Sequence, residues 1–120
     1  MISSREKERM FSIIQEGIED YHKKSGRGLK TDYEKEIFLL DEYRLGGYGL
    51  YDKSVKECIR RQYRTNGIPL DPIYTGKAFW GMEEYIKENH IKNSRILFLH
   101  TGGTPLFYDF LQKEEESCKC

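Results

Sequence analysis

Three stretches of this chain set hydroxyl side chains beside glycine: Gly46-Gly-Tyr-Gly49, Tyr74-Thr-Gly76 and Thr101-Gly-Gly103. Phenols and alcohols there can hydrogen-bond a polar ligand and move a proton. The ends of extended segments and the starts of helices add unpaired backbone N–H groups to such a site. Tyr48 and Tyr74 lie 26 residues apart, and so do Thr75 and Thr101. A parallel sheet would gather these positions along one edge, as two phenols and two alcohols around one pocket.

The elements that must position them follow from pattern. Ser3-x-x-Glu6 reads as a capping box for a first helix with Met10, Ile14, Ile18 and Tyr21 on one face, stopped near Ser25-Gly-Arg-Gly28. Ile37-Phe-Leu-Leu40 is a continuous apolar run, the signature of a strand buried on both faces. A glycine loop from Tyr43 to Tyr51 leads to a second helix, capped by Asp52 or Ser54 and carrying Val55, Ile59 and Tyr63, with Asn66-Gly67 as its left-handed stop. The prolines of Ile68-Pro-Leu-Asp-Pro-Ile73 enforce an extended segment. Thr75 then caps a third helix with Ala78, Met82, Tyr85 and Ile86 inward, fading over Asn89–Asn93. Ile96-Leu-Phe-Leu99 reads as a second buried strand. The expected order is helix, strand, helix, helix, strand, an α/β arrangement. Two short strands do not make a covered parallel sheet, so further strands are expected from another segment or chain.

Composition bounds the function. In 120 residues, 20 basic and 20 acidic side chains cancel, which leaves no electrostatic footprint for nucleic acid or an anionic membrane. No apolar run approaches the roughly 20 residues of a membrane span, and the polar start does not read as a secretory signal. The expected compartment is the cytoplasm. Three cysteines give no disulfide framework: Cys58 reads as a buried structural thiol, Cys118 and Cys120 as part of a frayed end.

The blocks Gly46-Gly-Tyr-Gly49, Arg64-Thr-Asn-Gly-Ile68, Leu70-Asp-Pro-Ile-Tyr-Thr-Gly-Lys-Ala78 and Leu99-His-Thr-Gly-Gly103 carry a resemblance. In order and spacing the chain resembles the carboxy-terminal part of the D-cysteine desulfhydrase and 1-aminocyclopropane-1-carboxylate deaminase family. These are fold-type II pyridoxal-phosphate enzymes, related to the tryptophan synthase β subunit. The resemblance implies a partial parallel-sheet domain over residues 1–112; residues 113–120 read from the sequence as a disordered acidic tail. It implies pyridoxal 5′-phosphate as cofactor and an amino acid as substrate. It places Tyr48 and Tyr74 as catalytic tyrosines flanking the substrate, with Thr75, Thr101 and Gly102 beside the cofactor ring.

One position discriminates within the family. The cyclopropane-opening enzymes carry a glutamate after the second tyrosine, and this chain has Thr75. A neutral hydroxyl is no counter-anion for a pyridinium, so the ring is the weaker electron sink. This favours β-elimination of a good leaving group, with sulfide, ammonia and pyruvate as products, over the deaminase reaction. The family's cofactor-bearing lysine and its glycine-rich phosphate loop lie upstream of the matched region, and neither motif occurs here. The expected partner is therefore the missing amino-terminal half or another chain, in a homo-oligomer when complete, and the chain alone should show no turnover.

Other residues invite simpler readings. Lys77 is not the family's cofactor lysine, and Thr101-Gly-Gly-Thr104 is a weak phosphate-cradle motif. Trp80 reads as packing. His100 is open to two readings, a near-core imidazole or a pocket residue. The rival from another class is a non-catalytic α/β domain that keeps the motif only as a scaffold for a partner polypeptide.

Overall fold

The structure, a computed structural model, describes residues 7–27 and 32–118. The chain divides into two compact units, Ser3–Asp41 and Glu42–Cys120.

In the first unit, helical spacing of Met10, Ile14 and Ile18 gives helix α1 (Lys7–Ser25) its less exposed face, whereas Tyr21 points to solvent. An Asp20–Lys24 ion pair of 2.7 Å one turn apart supports the outer face. Gly26 N–H closes the helix on His22 O at 3.0 Å. The expected capping box at Ser3 and Glu6, and Gly28, lie outside the described residues. A single turn, α2 (Tyr33–Glu36), leads into Ile37–Leu40. Ile37 and Leu39 line a groove of about 360 Å³ with Phe11 of α1, while Phe38 between them is 71% exposed.

The second unit contains the core. Helix α3 (Lys53–Asn66) starts where the Asp52 carboxylate accepts from Val55 N–H at 3.1 Å. It stops where Gly67, at φ 69°, donates its N–H to Tyr63 O. Val55 and Ile59 of α3, Leu70 of the proline segment, and Phe107 and Phe110 of α5 (Thr104–Cys118) form the buried cluster. Helix α4 (Thr75–Glu88) packs on α3 through Gly76. A Cβ there would lie 2.8 Å from the Ile59 side chain and 2.5 Å from Asp71 O, so only glycine permits this approach. A 3-10 turn at Glu42–Arg44 lies along α4, with the Tyr43 ring edge-on to Trp80 and its hydroxyl donating to Glu88 at 2.6 Å.

The architecture is helical, which corrects the α/β expectation: among the described residues there is no β-strand. The expected partial parallel-sheet domain, with its helix-strand-helix-helix-strand order, is replaced by helices joined by irregular segments. Both apolar runs are irregular. Of the second, Ile96, Leu97 and Leu99 are exposed, and Phe98 alone turns inward, against Phe79. The reason is the backbone. A strand's N–H and C=O groups need a neighbouring strand, and among the described residues neither run has one to pair with.

The carboxy-terminal end differs as well. Helix α5 continues to Cys118, through the region read as a disordered acidic tail from 113. Glu114 explains it, since its carboxylate pairs with Lys56 at 3.1 Å and with Arg60, both on α3.

Candidate functional site

Asp71 is the hub of the site. It sits between Leu70 and Pro72, fully buried, where the proline-braced segment turns into α4. Its Oδ1 accepts from the N–H groups of Ile73 (2.9 Å) and Tyr74 (2.7 Å). Its Oδ2 accepts from Thr75 N–H (2.9 Å) and the Thr75 hydroxyl (2.6 Å). One carboxylate thus satisfies three backbone donors at the start of α4, where the macrodipole also favours a negative charge. Thr75, expected as the cap, is instead the first helical residue, with Tyr74 at the cap position making no side-chain cap bond.

This turn directs the Tyr74 phenol outward, 45% exposed. The Gly46–Gly49 loop brings Tyr48, 69% exposed, to meet it: the two hydroxyl oxygens are 3.0 Å apart and the ring centroids 5.9 Å, edge-on. The loop curls because Leu45, Gly46, Gly47 and Gly49 all hold positive φ, and Gly47, at 141°, adopts a backbone open essentially to glycine. The contact with Tyr48 raises the Tyr74 pKa above the ordinary phenol value, helped by partial desolvation. In such a pair one hydroxyl donates to the other, and the acceptor's own O–H is left for a ligand.

The third stretch reaches the same hub. Gly103 lies on Asp71, where an added Cβ would sit 2.3 Å from Oδ2. His100 latches this loop to the proline segment. Because carbonyl oxygens only accept, its Nε2–H donates to Pro69 O at 3.0 Å, and its Nδ1 therefore accepts from Gly102 N–H at 3.2 Å. The two readings of His100 resolve into a backbone latch.

The expected site residues are thus placed unequally. Tyr48 and Tyr74 come together. Thr101 is exposed at the loop edge, and among the described residues no hydrogen bond joins it to either phenol. Gly102 presents open backbone, since an added Cβ would meet nothing within 4 Å. Thr75 faces inward and is 2% exposed; its proton goes to Asp71 and its oxygen accepts from Asp71 N–H at 2.9 Å. Against a cofactor ring, the exposed hydroxyl of Thr101 and the open backbone of Gly102 fit, whereas Thr75 has already given its donor away. Lys77 offers no amine to a carbonyl compound, being fully buried and bonded to backbone.

A cavity of about 280 Å³ is lined by Gly49 and Ile73, the sequence neighbours of the two tyrosines, and by Asp109, Phe110 and Lys113 of α5; neither phenol is among its lining residues. A carboxylate beside an apolar wall suits a small amine-bearing ligand. Among the described residues no group of three His, Cys, Asp or Glu side chains is disposed to hold a metal ion.

Sequence reasoning missed Asp71 and Lys77. The signal for Asp71 was an Asx residue four positions before a helical threonine. For Lys77 no sequence signal distinguishes a buried ammonium from a solvated one. Among the described residues no helix is long and apolar enough to cross a membrane. No family model matches the chain.

Proposed function

We propose that this chain supplies the substrate-facing tyrosines of a pyridoxal-phosphate-dependent lyase acting on D-cysteine or a related β-substituted amino acid, in the cytoplasm. The observation that carries the reading is the Tyr48–Tyr74 hydroxyl contact at 3.0 Å on an exposed surface, formed by two residues that the desulfhydrase-like motifs single out. The net reaction is D-cysteine plus water giving pyruvate, ammonia and sulfide. Bound pyridoxal phosphate supplies the electron sink that permits loss of the α-proton and departure of the thiolate.

The residues of this chain bind, orient and hold protons. Tyr74 stays protonated at neutral pH, so the pair acts as a hydrogen-bond and proton donor toward the departing group, with the second phenol able to resupply the proton across the contact. Asp109 of α5 lines the cavity that Gly49 and Ile73 also line, and offers a carboxylate to the substrate's amino group. Thr101 offers a hydroxyl to the cofactor, and Gly102, its N–H held by His100, leaves space for a close approach. The amine that holds the cofactor comes, in this reading, from a second polypeptide segment, and the complete enzyme is a homo-oligomer.

Complementation tests it. The chain is mixed with a polypeptide bearing that lysine and a phosphate loop, and sulfide release from D-cysteine is followed. Restored activity that Tyr74→Phe abolishes is the expected result. Equal activity with Tyr48, Tyr74 and Thr75 all replaced would instead establish the non-catalytic scaffold reading, which the exposed apolar residues Ile96, Leu97 and Leu99 favour as a partner-contacting run.

A further inference from the structure

Lys77 occupies an expensive position. It is 0% exposed, and it stands at the third residue of α4, where the helix macrodipole opposes a cation. Burial alone pulls its ammonium below the ordinary lysine pKa. An apolar side chain would fill the space without either cost. Two bonds answer for the charge: Nζ donates to Arg44 O at 3.0 Å and to Gly47 O at 2.7 Å. Both acceptors are backbone carbonyls of the loop that carries Tyr48, 33 and 30 residues away in sequence.

We infer that Lys77 is the positioning residue of the tyrosine pair: its ammonium draws the two ends of the Arg44–Gly47 turn onto α4, and so holds the Tyr48 hydroxyl against that of Tyr74. The start of the segment has other anchors, the Tyr43 ring packed at Gly81 and the Tyr43–Glu88 bond. Its far end, next to Tyr48, has Lys77. The start of α4 thereby sets both partners, Tyr74 through the Asp71 carboxylate that binds its first N–H groups and Tyr48 through Lys77 in the same first turn. An ammonium suits the task because it donates in several directions at once, to carbonyls converging from a curled loop.

The inference concerns the geometry of the pair and goes beyond the lyase reading. It stands or falls without cofactor or substrate, so its failure and that of the proposed activity are separately visible. Two measurements on the 120-residue chain test it. In the wild type, nitrogen-detected NMR should show the Lys77 ammonium in slow exchange with water, and the rings of Tyr48 and Tyr74 should give a mutual nuclear Overhauser effect. In Lys77→Met, with helical circular dichroism retained, that ring-to-ring effect should be lost, and the Tyr74 phenol should titrate nearer the ordinary ~10. Lys77→Arg, which keeps charge and donors, should restore part of the ring contact. A folded Lys77→Met with the ring-to-ring effect intact overturns the inference. If that variant does not fold, the wild-type ammonium decides: slow exchange with a contact to Gly47 supports the clamp, and fast exchange overturns it.

Discussion

The hydroxyl oxygens of Tyr48 and Tyr74 lie 3.0 Å apart, both on exposed side chains and both held by backbone arrangements anchored on one helix. Neither tyrosine is placed by its own packing in the core. The contact is made by what stands behind each ring: the Asp71 carboxylate behind Tyr74, the Lys77 ammonium behind the Tyr48 loop.

Removing one phenol should therefore be visible at the other. In Tyr48→Phe the Tyr74 phenol loses the hydrogen bond that raises its pKa and should titrate nearer ~10, as followed by NMR of labelled tyrosine rings. The sign follows from the neutral form being favoured. The contact's contribution is present below the unfolded value and is lost as pH rises through the folded one. An unchanged Tyr74 titration in the variant would mean the hydroxyls do not meet in solution.

Replacing Asp71 should be the most damaging single change near the site. Asp71→Ala strands three N–H groups at the start of α4 and removes the surface on which Gly103 rests, so a loss of about 2–4 kcal/mol is expected in denaturant unfolding. Asp71→Asn should cost less, because the amide retains one acceptor oxygen of the two. A loss of under about 0.5 kcal/mol for the alanine variant, the range of ordinary surface changes, would contradict the hub.

Much of the helical content was legible in the sequence because its signals are local. Asp52 and Gly67 bracket α3 with side-chain and left-handed caps. The strand expectations failed for a nonlocal reason: Ile37–Leu40 and Ile96–Leu99 have strand composition, yet strand pairing is a property of neighbours. Helix α5 was missed because Glu114–Glu116 looked like a solvated tail. Phe107, Phe110, Leu111 and Glu114 in fact follow helical spacing, and Glu114 has cations waiting on α3. Tyr48 in its glycine-rich loop and Tyr74 at the end of the proline-braced segment stood out through the family resemblance, whereas Asp71 was concealed between Leu70 and Pro72, where it read as part of an extended brace.

Cys58 should resist thiol reagents. Burial, with the Glu83 carboxylate 3.6 Å away, pushes its thiol up to about 12. At pH 8 it carries essentially no thiolate, so mass spectrometry after brief alkylation of the folded chain should find Cys58 unmodified, and modified only on unfolding. Rapid labelling of Cys58 in the folded protein would contradict its placement.

Tyr43 should be among the last tyrosines to ionise. Its hydrogen bond to Glu88, with the negative charge of that carboxylate, pushes the phenol up to about 12. Any stability that Tyr43→Phe removes should be present below pH ~10 and fade as pH rises toward 12. Glu88→Gln should return the Tyr43 titration toward the ordinary value. Ionisation of Tyr43 together with the ordinary phenols in the wild type would rule the bond out.

The central claim is that the tyrosine pair meets an amino acid joined to pyridoxal phosphate. The most direct measurement titrates the labelled chain, mixed with the polypeptide that bears the lysine and phosphate loop, with phosphopyridoxyl-D-cysteine, the stable reduced conjugate of the two, and follows tyrosine rings and backbone amides by NMR. The expected result is a concerted shift of Tyr48, Tyr74 and the Gly102 amide, weakened in Tyr74→Phe. Shifts confined to other residues, or none at these three, would contradict the account.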